Sequence, residues 1–301
     1  MRRPFPVEQP IVLGHEGAGV VEAIGASVTK VKVGDRVVLS YNFCGQCPSC
    51  ERNAPSYCQY FFGTNFLGQR RDGSTALSRQ GQPVRHHFFG QSSFATHCLC
   101  TEQNVVKVPD SVPHELFELL GPLGCGIQTG AGAMLNVLKP QLGESVVVFG
   151  TGAVGLAGLM AARAMGAATL IAVDRVADRL ALATELGATH TVLANGDTDA
   201  VARIRELTGD GADCSLDTTA VSAVLRQALD GLGPLGRCGF VGGAPVGTQL
   251  EVDARDVMLP RLATCQTCHG KPETPTTVSA PANCSTCHSY HAPARPVPVT
   301  P

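Results

Sequence analysis

The period of apolar and polar positions changes along the chain. Between residues 11 and 110 the apolar residues come in short alternating runs broken by glycine. Residues 31–39 read as strand, turn, strand; residues 94–100 alternate, which puts Cys98 and Cys100 on one face; residues 104–108 form another short strand. Short strands with Gly-rich turns predict a β-barrel-like domain. From about residue 144, near-continuous apolar runs alternate with helical ones. The pattern predicts strands at 145–149, 169–173, 190–193, 213–216 and 237–241, with helices at 153–165, 176–186, 199–207 and 220–232. Strand–helix repetition of this length is the mark of a doubly wound parallel sheet, so the fold class is α/β. Past residue 264 the pattern stops: the last 37 residues hold seven prolines, three charges and few large apolar side chains. That stretch cannot build a core of its own. The expected division is 1–135, 136–264 and a tail at 265–301.

Composition narrows the function. The chain has 301 residues, and 23 basic against 25 acidic side chains give a net charge of −2, without the basic surplus of a nucleic-acid binder. No apolar run is long enough to span a membrane. No apolar segment follows Arg2 and Arg3, so no signal peptide is expected and the compartment is read as cytoplasmic and reducing. The 13 cysteines are then metal ligands and core thiols rather than disulfides.

Two motifs carry chemistry. The predicted strand ending at Phe149 runs into Gly150-Thr151-Gly152-Ala153-Val154-Gly155 and a helix, the dinucleotide fingerprint in its required setting. Gly150 serves the tight turn, Gly152 the approach of a pyrophosphate, and Gly155 the packing of helix on strand. Asp174 ends the next strand, 19 residues after Gly155, where a carboxylate accepts ribose hydroxyls and disfavours a 2′-phosphate. NAD is therefore expected over NADP, with Arg175 keeping NADP open. Separately, Cys44, Cys47, Cys50 and Cys58 stand within 15 residues, a spacing that fits a closed tetrahedral zinc site. Disulfides and an iron–sulfur cluster are the rivals.

The stretches PIVLGHEGAGVVE, VGDRVVLSYNFCGQCPSC, FFGQSSFATH, LGPLGCGIQTGAGAMLNVLKP and VVVFGTGAVGL together resemble the zinc-dependent medium-chain alcohol dehydrogenases, aryl-alcohol branch, over residues 4–260. The resemblance implies a partial GroES-like domain followed by a Rossmann domain. It implies NAD-dependent oxidation of a primary aryl or allylic alcohol to its aldehyde, by hydride transfer from an alkoxide stabilised on zinc. It implies that His15 and Cys125 are two ligands of a catalytic zinc with Glu16 beside them, and that Cys44, Cys47, Cys50 and Cys58 hold a structural zinc. Thr129, Val154 and Gly242 match positions near the nicotinamide, and Asp174 and Arg179 positions near the adenosine ribose. The partners implied are a small alcohol or aldehyde and a second copy of the chain.

The chain also departs from the family pattern. Only 14 residues precede His15 and the first cysteine is Cys44, so the family's first thiolate ligand and its neighbouring hydroxyl have no counterpart. The expectation is a fragment cut at both ends, with feeble turnover, a missing last Rossmann strand, and an unpaired edge where family members dimerise. Cys98 and Cys100 are conceivable substitute ligands, though packing thiols like Cys214 and Cys238 are the plainer reading. In the tail, Cys265, Cys268, His269 and Cys284, Cys287, His288 form two CxxCH motifs that resemble c-type haem attachment sites, with His291 as a distal ligand. Their spacing also matches a zinc ribbon, and an unliganded tail is the third reading. The alternative function is thus a c-type haem electron-transfer segment fused to a non-catalytic zinc- and NAD-binding remnant.

Overall fold

A computed structural model describes residues 8–252, apart from Asp197 and Val246. The tail motifs at Cys265, Cys268, His269, Cys284, Cys287, His288 and His291 lie outside the described residues. The chain divides into two compact units between Cys125 and Gly126.

The first unit contains a three-stranded antiparallel sheet in the order β1 (Ala18–Val20), β2 (Arg36–Leu39), β5 (Val105–Lys107). Val38 of β2 pairs with Ala18 on one side and Val106 on the other. Its core is small: Val31, Val37, Leu39 and Val105 pack with Val21 and Val28. Asp35, at the start of β2, takes the Lys32 amide and the Lys107 ammonium, at 2.9 and 2.8 Å, and so ties the turn to β5. Between β2 and β5 come the short helices α1 (Pro48–Glu51) and α2 (Phe61–Asn65), and a hairpin of β3 (Leu77–Arg79) and β4 (Gln82–Val84).

Two expectations fail here. Residues 31–35 form a turn rather than a strand arm, with glycine at φ +90° in position 34. Residues 94–100 form bends and irregular backbone. Their alternation finds no strand to pair with among the described residues, and a strand without a partner leaves its amides unsatisfied. Instead Phe94 and Ser93 donate to the carbonyls of Leu13 and Gly14, and Phe94 and Leu99 stay exposed.

The second unit follows the expected alternation closely. A helix of Gly126–Gly132 (α3) continues as wider π turns over Ala133–Leu138. Then come β6 (Ser145–Phe149), α4 (Ala153–Ala164), β7 (Thr169–Asp174), α5 (Ala177–Glu185), β8 (His190–Leu193), α6 (Ala200–Thr208), β9 (Ala212–Asp217), α7 (Ser222–Asp230) and β10 (Leu232–Phe240). The five strands are parallel, in the order β10-β9-β6-β7-β8. The order reverses between β6 and β9, which opens a crevice at the carboxyl ends of these strands.

The two-residue period of a strand sorts its side chains onto opposite faces. Val146 and Val148 join Leu159 and Ala162 of α4 and Leu180 and Ala183 of α5 on one face. Val147 and Phe149 join Ile204 of α6 and Ala228 and Leu229 of α7 on the other. Cys214 and Cys238 are buried within these layers, as read from the sequence. Among the described residues β10 borders the sheet. No helix of the described residues is long and apolar enough to cross a membrane.

Candidate active site

Glycines bring His15 and Cys125 together across 110 positions of sequence. The one-turn helix Gly121–Gly124 lies against the backbone at Glu16 and Leu39. A Cβ on Gly121 would sit 2.5 Å from the Glu16 carbonyl oxygen, and one on Gly124 would sit 2.1 Å from that of Leu39. No side chain fits at either position, and the bare backbone delivers Cys125 to His15, with Nε2 and Sγ 3.1 Å apart. Gly14, at φ +106°, makes the matching approach from the other side, since a Cβ there would strike the Phe94 amide. An oxygen of Glu16 completes a cluster whose three ligand atoms all lie within 4.8 Å of one another.

The setting favours ligation. Burial lowers the His15 pKa, against a smaller raising effect of Glu16, and this keeps the ring neutral and its nitrogen available to a metal. The ring lies 4.7 Å from Phe89 and edge-on to Phe88 at 6.2 Å. Gln91, fully buried, fixes the loop: its Oε1 accepts from the Gly17 amide at 3.1 Å, and its Nε2 donates to the carbonyls of His15 and Ser40 at 3.0 and 3.1 Å. Sequence reasoning did not single out Gln91; its signal was a lone amide within an aromatic, glycine-rich stretch.

Cys98 and Cys100 do not belong to this cluster. Both are exposed, which excludes the packing role, and neither is among the residues that converge on His15.

The four-cysteine lobe forms as expected. Gly45, at φ +74°, turns the chain between Cys44 and Cys47, and Pro48 starts α1 so that Cys50 returns beside them. The ligand sulfurs lie within 4.8 Å of one another, with Cys47–Cys50 at 3.5 Å and Cys44–Cys50 at 3.9 Å. Tetrahedral zinc with Zn–S bonds of about 2.3 Å sets its thiolates about 3.8 Å apart. The observed separations fit that ion; they exceed a disulfide bond and are too small to enclose several iron atoms. Amides of Cys50 and Gln59 hold the Cys47 pKa at about 6, while burial pushes Cys50 up to about 12.

In the second unit the fingerprint glycines take three distinct jobs. Gly150 adopts φ +84°. A Cβ on Gly155 would lie 1.8 Å from the Gly150 carbonyl oxygen, whereas one on Gly152 would meet nothing within 4 Å. Gly152 is the N-cap of α4, and no side chain caps the helix. Such a helix start is suited to a phosphate.

Asp174 is buried, and all four of its acceptor positions are in use. Oδ2 accepts from Thr151 N and Oγ1 at 2.6 and 2.9 Å; Oδ1 accepts from the amides of Arg175 and Val176 at 2.7 and 3.0 Å. Burial alone would raise its pKa, but these bonds together outweigh it and lower the value, so the carboxylate is charged. Asp174 therefore braces the glycine loop, a role its sequence position did not reveal.

Thr129 is buried on α3 beside Gly130, whose missing Cβ lets Val154 approach on α4. Gly242 follows β10 and abuts Ala220, past the end of β9. Arg179 is exposed on α5.

A barrel-like unit with two clusters of potential metal ligands, followed by a nucleotide fold, is the pattern of a zinc-binding dehydrogenase. The chain belongs to the zinc-binding alcohol dehydrogenases. Residues 2–110 match the alcohol dehydrogenase GroES-like domain, and residues 153–281 match the zinc-binding dehydrogenase family. It is 49% identical to geraniol dehydrogenase of Castellaniella defragrans over 264 residues, 86% of this chain and 70% of that one. Benzyl alcohol dehydrogenase from Acinetobacter calcoaceticus superposes with a TM-score of 0.80 at 49% identity, covering 86% of this chain and 69% of its own. An alcohol dehydrogenase zinc-binding domain protein from Burkholderia ambifaria gives 0.81 at 51%, with the same coverage. The GroES-like and Rossmann architecture read from the motifs is the one these structures share.

Proposed function

We propose that the protein oxidises a primary aryl or allylic alcohol to its aldehyde, with NAD as hydride acceptor and a zinc ion at His15 and Cys125. The observation that carries this reading is the convergence of an imidazole nitrogen, a thiol and a carboxylate within 4.8 Å, next to two aromatic rings. When bound, zinc supplies Lewis acidity at the alcohol oxygen, and NAD accepts the hydride. His15 and Cys125 would hold the ion, and Glu16 would add negative charge that favours it. Gln91 keeps the His15 loop from swinging. Phe88, half-buried and edge-on to the His15 ring, offers an apolar face that suits an sp²-carbon neighbour of the reacting carbon, and Phe89 packs behind it. The relatives named for geraniol and for benzyl alcohol support the same substrate class. On this reading the metal ligands fall in residues 1–135 and, Thr129 apart, the nucleotide residues in 136–264.

Gly150, Gly152 and Gly155 shape the phosphate cradle, with the α4 amides as donors. Thr129, Val154 and Gly242 serve the nicotinamide end. Asp174 and Arg179 serve the ribose, whose hydroxyl would displace the Thr151 hydroxyl from Asp174 Oδ2. A charged carboxylate at that point repels a 2′-phosphate. Calorimetric titration should therefore show NAD⁺ binding at least about tenfold more tightly than NADP⁺, with Asp174→Ser narrowing the gap. Equal or tighter binding of NADP⁺ would place Arg175, rather than Asp174, in charge of the ribose.

A further inference from the structure

The turn that follows β9 carries side chains that reach the glycine loop. Phe149 of β6 pairs with Asp217 of β9, so the turns after these two strands lie side by side at the switch point. Asp217 is buried and accepts from the Thr219 amide and hydroxyl at 2.9 and 2.7 Å, which fixes the second turn. Within it, the Thr218 hydroxyl donates to the carbonyls of Phe149 and Gly150, both at 3.0 Å. The Thr218 amide also donates to the Phe149 carbonyl, at 3.0 Å. The two turns are in close contact: a Cβ on Gly150 would sit 2.7 Å from Thr218 Oγ1 and 3.0 Å from the Thr219 methyl carbon.

The Gly150 carbonyl and the Thr151 amide share one rigid peptide plane. Its oxygen takes the Thr218 hydroxyl, and its N–H donates to Asp174 Oδ2 at 2.6 Å. Side chains from the ends of β7 and β9 thus grip the plane from both edges. The grip matters because Gly150, at φ +84°, has no Cβ to limit its rotation. Turning this plane would swing the backbone of Thr151 and Gly152, and Gly152 begins α4.

We propose, resting on the nucleotide reading above, that Thr218 is a positioning residue for the dinucleotide. It holds the Gly150–Thr151 plane in the orientation that a pyrophosphate meets. It acts through the backbone, 68 positions from Gly150 and outside the glycine motif. Without the hydroxyl, binding must order the loop itself, and affinity falls by that cost.

The full chain with Thr218→Val keeps the side-chain shape and the backbone amide but lacks the hydroxyl. In the nucleotide-free protein, hydrogen exchange should quicken at the amides of Thr151 and Gly152 while β6 and β9 keep the parent's protection. Calorimetric titration should show NAD⁺ binding about tenfold more weakly, the scale of one hydrogen bond. Thr218→Ala, which adds no methyl, should behave alike, and Thr218→Ser should match the parent in both measurements. Unchanged exchange in Thr218→Val and Thr218→Ala would overturn the proposal, and so would faster exchange with NAD⁺ affinity intact. A parent chain that binds no NAD⁺ would overturn the nucleotide reading and this proposal together.

Discussion

Gly155→Ala should prevent the nucleotide-binding unit from folding, and the protein should be recovered as insoluble or protease-sensitive material. The added Cβ would stand 1.8 Å from the Gly150 carbonyl oxygen and 3.2 Å from a Val148 methyl. No rotamer relieves a clash between a Cβ and the backbone. Relief requires α4 to withdraw from β6, and that opens the core of Val148, Leu159 and Ala162. Losing such packing costs several kcal/mol, comparable to the whole stability of a domain at roughly 5–15 kcal/mol. Gly152→Ala is the contrasting case. Its Cβ meets nothing within 4 Å and its φ is −76°, so the fold should survive. What it should lose is nucleotide affinity, because the methyl fills the space in which a pyrophosphate would lie. Limited proteolysis read beside NAD⁺ titration separates the two results.

Cys47→Ser should remove one zinc per chain and lower the thermal midpoint by about 10 °C, as expected for a loss of several kcal/mol in a chain of this size. Residues 44–58 contain only short helical turns, and what gathers them is the four sulfurs. With one ligand gone, the remaining thiols are pushed together without a cation to balance them. Cys238→Ala, a change in the core of the second unit, should destabilise by a cavity yet leave the zinc count unchanged. Metal analysis beside a melting curve checks both. An unchanged zinc content in Cys47→Ser would mean that the lobe holds no ion.

The nucleotide unit was legible in the sequence because its signals are local. Strand 145–149 and strand 190–193 fall where the apolar runs place them, and the helices shift by no more than a couple of residues. The four-cysteine lobe was legible for the same reason, since its ligands span 15 residues. What escaped depends on distant partners. The 94–100 segment alternates like a strand, but pairing is decided by neighbours that periodicity does not show. The α3 helix, over Gly126–Gly132, was not foreseen, because a run of glycines argues against a helix until Gly130 is seen to be what lets Val154 pack against it. The buried amide of Gln91 and the bond network around Asp174 are likewise products of tertiary contact. His15 and Cys125 were matched only through family resemblance, and their meeting rests on Gly121 and Gly124, whose purpose is a close backbone approach.

The central claim is that this chain carries hydride from an alcohol to NAD at the His15–Cys125 site. Its most direct test is isotopic. The zinc-loaded protein would be incubated with benzyl alcohol deuterated at the hydroxyl-bearing carbon and with NAD⁺, and the nicotinamide product analysed by mass spectrometry. Label transfer is a yes-or-no readout that even feeble turnover satisfies. Deuterium should appear in the reduced nicotinamide with the parent chain and be absent with His15→Ala. Label missing from the parent, or equal in both, would contradict the assignment.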